Sequence, residues 1–168
     1  MQTLFTAREI AERVQRLGDE ISRDFQDSPL TVIGVLHGSV VFVADLMRAI
    51  ATPHQLGFVT ASSYRGTATA PEELRLDLDS LPDLAGRNVL LVDDILDTGR
   101  TLSALTVRLA ECEPRAVRTA VLLWKKERTE TVIMPDYVGF EIPNRFVVGY
   151  GLDFNGDYRH LPYIGVLD

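Results

Sequence analysis

The sequence holds one cysteine and one tryptophan among 168 residues. Cys112 has no partner for an intramolecular disulfide, and a single thiol makes no zinc cluster, so a disulfide scaffold and a cysteine-based metal fold are both excluded. Long hydrophobic runs are absent. The most apolar stretches, 30–36 and 89–92, are soon interrupted by Gly or Asp and fall far short of the roughly 20 residues of a membrane span. Positive charge is scarce as well, with 17 Lys and Arg against 24 Asp and Glu and a net charge of −7. Duplex binding wants a basic stripe that displaces phosphate counterions, yet the basic residues do not cluster, apart from Lys125-Lys126 with Arg128 nearby. Neither nucleic acid nor a membrane is an expected partner, whereas an anionic small molecule stays open if helix N-termini or a metal ion assist. The initial MQTLFTAREIAERV is charged and amphipathic with no apolar h-region, so a cytoplasmic location is expected. Two phosphate-binding signatures are also missing. No GxxxxGK[ST] loop occurs, and Gly149-Tyr150-Gly151 lacks the third glycine and the helix of a dinucleotide fingerprint.

What is present suffices for one domain with a proper core: 46% of the residues are hydrophobic, 8% aromatic and 24% charged. Thr6 followed by Glu9 predicts a capping box, and Ile10, Val14, Leu17 and Ile21 fall on one helical face. Asp27-Ser28-Pro29 ends that helix. Residues 30–36 suit a strand buried on both faces. Ser39 is placed to cap a helix carrying Val43, Leu46, Met47 and Ile50, which Pro53 stops. Residues 55–61 read as a strand and 62–73 as a polar loop or lid. Leu74, Leu76 and Leu78 then alternate with Arg75, Asp77 and Asp79 at the period of a half-exposed strand. Residues 88–92 predict a second buried strand, 101–110 a helix with Leu102, Leu105 and Leu109 inward, and 116–124 a third buried strand. Short strands are expected at 137–140 and 145–148. Strands alternating with helices mean an α/β fold with a mostly parallel central sheet flanked by helices.

The most informative segment is residues 89–102, Val-Leu-Leu-Val-Asp-Asp-Ile-Leu-Asp-Thr-Gly-Arg-Thr-Leu. A buried strand leads into two adjacent carboxylates, and a short loop then opens a helix. In open α/β sheets, ligands bind at the carboxyl ends of the strands. The loop offers backbone N–H groups, two hydroxyls and the positive end of a helix, which together cradle a phosphate. Gly99 lets the backbone approach the anion. Asp93 and Asp94 would repel a phosphate unless they face hydroxyls or a divalent cation. A ligand with a terminal phosphate, a ribose diol and bound Mg²⁺ uses every residue of the loop. A lone Asp at a strand end is ordinarily a solvated residue; here the whole constellation outweighs that reading.

This segment resembles the phosphoribosyl-diphosphate (PRPP) signature of the type I phosphoribosyltransferases. Further segments resemble the hypoxanthine (hypoxanthine-guanine) branch of that family, as found in bacteria: Gly34-Val35-Leu36-His37-Gly38-Ser39, Thr60-Ala61-Ser62-Ser63-Tyr64, Val138-Gly139-Phe140-Glu141-Ile142-Pro143, residues 146–153, and residues 158–165. They run in family order over nearly the whole chain. The resemblance implies a type I phosphoribosyltransferase fold of one domain, 1–168, with a core at about 30–135. It also implies a small hood made by the amino- and carboxy-terminal segments and a flexible catalytic loop at about 62–74.

Carried over residue by residue, the resemblance implies that Asp93 and Asp94 hold the ribose hydroxyls directly or through Mg²⁺, and that Asp97 is the general base or acid at the purine imidazole nitrogen. Thr98, Gly99, Arg100 and Thr101 cradle the 5′-phosphate. Leu36, His37 and Gly38 match the pyrophosphate loop, with a non-proline cis peptide after the Leu, and Arg159 contacts pyrophosphate. Ser63 and Tyr64 belong to the closing loop. Lys125 faces position 6 of the base, where an ammonium, being only a donor, favours a carbonyl over an amino group. Phe146 stacks on the purine, Val147 meets its edge through backbone groups, and Asp153 is a carboxylate for a second Mg²⁺. Alone, a lysine after a strand is commonly a surface residue and a phenylalanine a core one; the surrounding match reverses both. His37 stands where relatives commonly carry Lys or Arg, and Asp93-Asp94 where many carry Glu-Asp. The implied activity is Mg²⁺-dependent transfer of 5-phosphoribosyl from PRPP to a 6-oxopurine, by a homo-oligomer (dimer or tetramer). Rival readings are a xanthine-preferring enzyme and a PRPP-sensing nucleic-acid-binding regulator on the same fold, the latter opposed by the acidic charge.

Overall fold

The computed structural model describes residues 1–60 and 78–167. In chain order these form β1 (Gln2–Phe5), α1 (Ala7–Asp24), β2 (Leu30–Leu36), α2 (Val40–Ala49), β3 (His54–Thr60), β4 (Asn88–Leu96), α3 (Arg100–Ala110), β5 (Ala116–Trp124), β6 (Tyr137–Glu141), β7 (Val147–Val148) and β8 (Ile164–Val166), with a single 3-10 turn at Lys126–Arg128. Five strands make a parallel sheet in the order β3-β2-β4-β5-β6, and a second, three-stranded antiparallel sheet has the order β1-β8-β7. The expected α/β class and mostly parallel sheet are both present.

The buried strands alternate between two cores. Leu90 and Val92 of β4 face α1 and α2, together with Ile10, Leu17, Ile21, Phe42 and Leu46. Val89 and Leu91 face the other side, against Leu102, Leu105 and Leu109 of α3. This two-sided burial is why such strands read as continuous apolar runs. The capping box forms as expected: Glu9 N donates to Thr6 Oγ1 (3.3 Å) and Thr6 N to Glu9 Oε2 (2.8 Å). Arg13 clasps the edge strand β6, donating to the carbonyls of Gly139 (2.9 Å) and Val138 (2.6 Å).

Several boundaries differ from the expectations. β4 does not stop at Val92. Its ladder to β5 continues through Asp93↔Val121 to Leu96↔Trp124, because a parallel ladder pairs backbone groups whatever the side chain carries. Ser39 sits at the start of α2 in right-handed helical geometry and makes no side-chain cap. Its buried hydroxyl donates back to the Val35 carbonyl instead. The helix ends at Ala49, with Ile50 as its C-cap. Leu78 lies at a turn closed by Leu81 N onto its carbonyl (3.1 Å), not in a strand; positions 74–77 of that expected strand, and the expected lid with Ser63 and Tyr64, lie outside the described residues. Strands β1 and β8 have no local signal in the sequence, since each is short and finds its partner at the far end of the chain.

Candidate active site

The parallel sheet brings the carboxyl ends of β2, β4 and β5 to one edge. Asp93 lies in β4, buried at 9% exposure, and Asp94 is half-buried beside it. The backbone serves both carboxylates: Asp94 N donates to Asp93 Oδ1 (2.9 Å), and Ile95 N to Asp94 Oδ1 (2.7 Å). Burial pushes the Asp93 carboxyl well above the usual carboxylate range, and the Asp94 charge adds to that rise. Burial also raises Asp94, against hydrogen bonds and the positive charge of Arg159, which pull it down. Two buried acids side by side hold a proton more tightly than either would alone, so the pair favours a cation or hydroxyl partners.

Three other segments converge on this pair. Beyond β2, the Leu36–His37 bond is cis, as expected, and Gly38 lies hard against the acids. A Cβ on Gly38 would meet Asp94 Oδ2 at 1.7 Å, so any other residue there would push the Asp94 carboxylate aside. The segment after β7 closes from the other side, since a Cβ on Gly151 would meet the Gly38 carbonyl oxygen at 2.3 Å. Arg159 donates to the Gly151 carbonyl (2.5 Å) and pairs with Asp153 (2.7 Å). Asp153 also accepts from Gly156 N (2.8 Å). His37 is exposed.

After β4, residues 97–101 turn into α3. Gly99 holds φ +85° at the helix start, a left-handed geometry that costs other residues, and a Cβ there would strike Thr131 Oγ1 at 2.2 Å. Thr98, Gly99 and Thr101 line a small cavity of about 230 Å³ with Asp93, Asp94 and Asp97; Arg100 points outward to Glu130 (2.7 Å). Lys125, at the end of β5, is buried at 8% exposure, with its Nζ 3.6 Å from Asp97 Oδ2. Phe146 is exposed and meets Phe154 edge-on at 5.4 Å between ring centres; Val147 is buried in β7. A larger cavity of about 900 Å³ opens at the opposite end of the sheet, by Arg23, His54 and Arg87, and none of the candidate site residues lines it.

The geometry therefore unites Leu36, Gly38, Asp93, Asp94, Arg159 and Asp153 around one spot, and Asp97, Thr98, Gly99, Thr101 and Lys125 around its neighbour. Among the described residues no group of three or more His, Cys, Asp or Glu could hold a metal ion. Asp153 is instead engaged by Arg159. The sequence reading assigned no role to Arg128, whose Nε lies 2.6 Å from Asp97 Oδ1, nor to Gly151 and Thr131. Arg128 was visible only as part of a basic knot, because an ion pair across 31 positions leaves no local pattern.

A family model described as the phosphoribosyl transferase domain matches residues 2–155. The chain belongs to that family. This phosphoribosyltransferase is 42% identical over 170 residues to the hypoxanthine-guanine phosphoribosyltransferase of Dictyostelium discoideum, covering 99% of this chain and 94% of that one. It is 43% identical over 171 residues to the corresponding protein of Mycobacterium tuberculosis, covering 98% and 85%. Among solved structures, a hypoxanthine phosphoribosyltransferase from Staphylococcus aureus superposes with a TM-score of 0.94 at 37% identity, covering 100% of this phosphoribosyltransferase and 91% of that chain. No helix among the described residues is long and apolar enough to cross a membrane.

Proposed function

We infer that this chain is a purine-salvage enzyme. It transfers the 5-phosphoribosyl group of PRPP to hypoxanthine, and to guanine, giving IMP or GMP and pyrophosphate. The observation that carries this reading is the junction of β4 with α3, where a buried acidic pair adjoins a glycine-started helix and the buried Lys125 beside Asp97. The helix start and its free N–H groups suit the 5′-phosphate. The crowded acids suit the ribose diol. Mg²⁺ also fits their hard oxygen donors, since it is commonly held by one or two carboxylates with substrate oxygens completing the shell. Asp93 and Asp94 would hold it, and Asp153, now paired with Arg159, would be a carboxylate for a second Mg²⁺; when bound, the ion supplies positive charge against the departing pyrophosphate.

In the reaction the bond from the anomeric carbon to pyrophosphate breaks, its electron pair leaving with pyrophosphate, and a purine nitrogen bonds to that carbon. The carbon develops oxocarbenium character, so the protein works by positioning and charge stabilisation. The backbone of Leu36, His37 and Gly38, with the Arg159 guanidinium, attends the leaving group. Asp97 takes the proton from the purine imidazole nitrogen as the new bond forms. Lys125 donates to the 6-oxo oxygen; a 6-amino group would leave this buried ammonium unpaired, which is costly. Phe146 offers a free aromatic face to the base, and Val147 its backbone to the purine edge. The enzyme works as a cytoplasmic homo-oligomer, a dimer or tetramer. Its single domain, 1–168, has a core at about 30–135 and a hood formed by the two terminal segments.

Rates with hypoxanthine, guanine, xanthine and adenine, each with PRPP and Mg²⁺, test the assignment. Hypoxanthine or guanine leads and adenine is the poorest; a lead for xanthine reassigns the acceptor, and a lead for adenine overturns the role of Lys125.

A further inference from the structure

Asp97 is gripped by two cations, one on each oxygen. Arg128 Nε lies 2.6 Å from Oδ1, whereas Lys125 Nζ stands off at 3.6 Å from Oδ2. Arg128 reaches this position because residues 128–131 run alongside residues 97–100. Arg128 N donates to the Lys125 carbonyl (2.9 Å), and Glu130 N donates to the Thr98 carbonyl (3.0 Å). Thr129 Oγ1, which accepts from Trp124 Nε1 (3.0 Å), sits 3.2 Å from the Asp97 carbonyl oxygen. The Arg100–Glu130 ion pair (2.7 Å) closes the seam. The backbone that carries Arg128 is thus held in place, while its side chain, 44% exposed, reaches Asp97.

We propose that Arg128 is a positioning residue for Asp97 and, through it, for Lys125. This rests on the reading of Asp97 as the proton acceptor. A buried lysine beside a single carboxylate closes onto it, because nothing else compensates its charge. Arg128 supplies Asp97 with its nearer counter-ion, so Lys125 remains at a loose distance with donors left for the 6-oxo oxygen. The same contact fixes Oδ1 and leaves Oδ2 as the oxygen turned toward the base. Arg128 touches no substrate in this arrangement. Without it, Asp97 swings freely and Lys125 is drawn onto it, so the acceptor base loses both its proton acceptor and its carbonyl donor.

A double-mutant cycle with Arg128→Gln and Asp97→Asn, read as the single-turnover rate of IMP formation, tests this, since product release can hide chemistry in steady-state turnover. Arg128→Gln lowers the rate about 10- to 100-fold, the range expected when a reacting group is misplaced by about an ångström. It raises KM for hypoxanthine and leaves KM for PRPP within about twofold. Arg128→Lys, which keeps the charge without the planar fork, recovers part of the rate. In the Asp97→Asn background the further change to Gln has no effect. A rate for Arg128→Gln within twofold of the parent overturns the proposal, as does a loss that persists undiminished in the Asp97→Asn background. Failure of the parent chain to form IMP overturns the functional reading itself, and this proposal with it.

Discussion

At the residue scale, Asp97 and Asp93 do opposite things for the protein. In the proposed mechanism Asp97 takes a proton during reaction, so Asp97→Asn is expected to lower turnover by about 10²- to 10⁴-fold while PRPP affinity stays within a few-fold; kinetics paired with a PRPP titration check the split. Asp93 is a cost to the unliganded fold. Its folded pKa lies above the unfolded value of about 3.9, so the native state binds more protons than the unfolded chain across that interval. Stability therefore falls as pH rises through the window, and the penalty is absent below it. Asp93→Asn removes the penalty and keeps an acceptor for the Asp94 N–H. We expect its melting point in metal-free buffer at neutral pH to rise by roughly 2–5 °C, with the gain vanishing toward pH 4 and PRPP binding lost. A melting point that drops at neutral pH contradicts this balance. These carboxylates were legible in the sequence because they share one short segment. Arg128, Thr131 and Gly151 were not, because their contacts join parts of the chain that only folding brings together.

At the element scale, the active site is a property of strand ends and one helix start. Gly99 begins α3 with a left-handed backbone and presses on Thr131, so Gly99→Ala adds strain of roughly 1–2 kcal/mol and a steric clash. Thermal unfolding should show the loss, and PRPP affinity should fall with it; unchanged affinity would separate the cradle from this turn. Gly38→Ala acts from the turn after β2 rather than from β4, displacing the Asp94 carboxylate it abuts, and weakens PRPP binding at least tenfold while α3 stays intact. The central strands were readable because the apolar run 30–36 and the strand-like 116–124, apolar from Ala120 on, coincide with β2 and β5 to the residue. The end of β4 lies further along than its apolar run. That run stops at Val92, whereas the ladder to β5 carries both acids inside the strand and continues to Leu96, because backbone pairing leaves no mark in side-chain polarity. Strands β1 and β8 escaped because pairing between the two ends of a chain has no periodic signature.

At the scale of the whole molecule, net charge and local site pull in opposite directions. A chain of charge −7 takes an anionic substrate through one end of its sheet, where the α3 N–H groups and Arg159 are gathered. Raising ionic strength should therefore change PRPP affinity only modestly, because these contacts are short-ranged and partly buried. The segment after β7 completes the site by laying Gly151 on Gly38, so the two sheets contribute to one binding surface. The central claim is that this surface binds PRPP, and calorimetric titration of the folded chain with PRPP in the presence of Mg²⁺ tests it most directly. Saturable uptake of one PRPP per chain is expected, weakened at least tenfold in Gly38→Ala. No uptake by the folded parent chain, or undiminished uptake by Gly38→Ala, would contradict it.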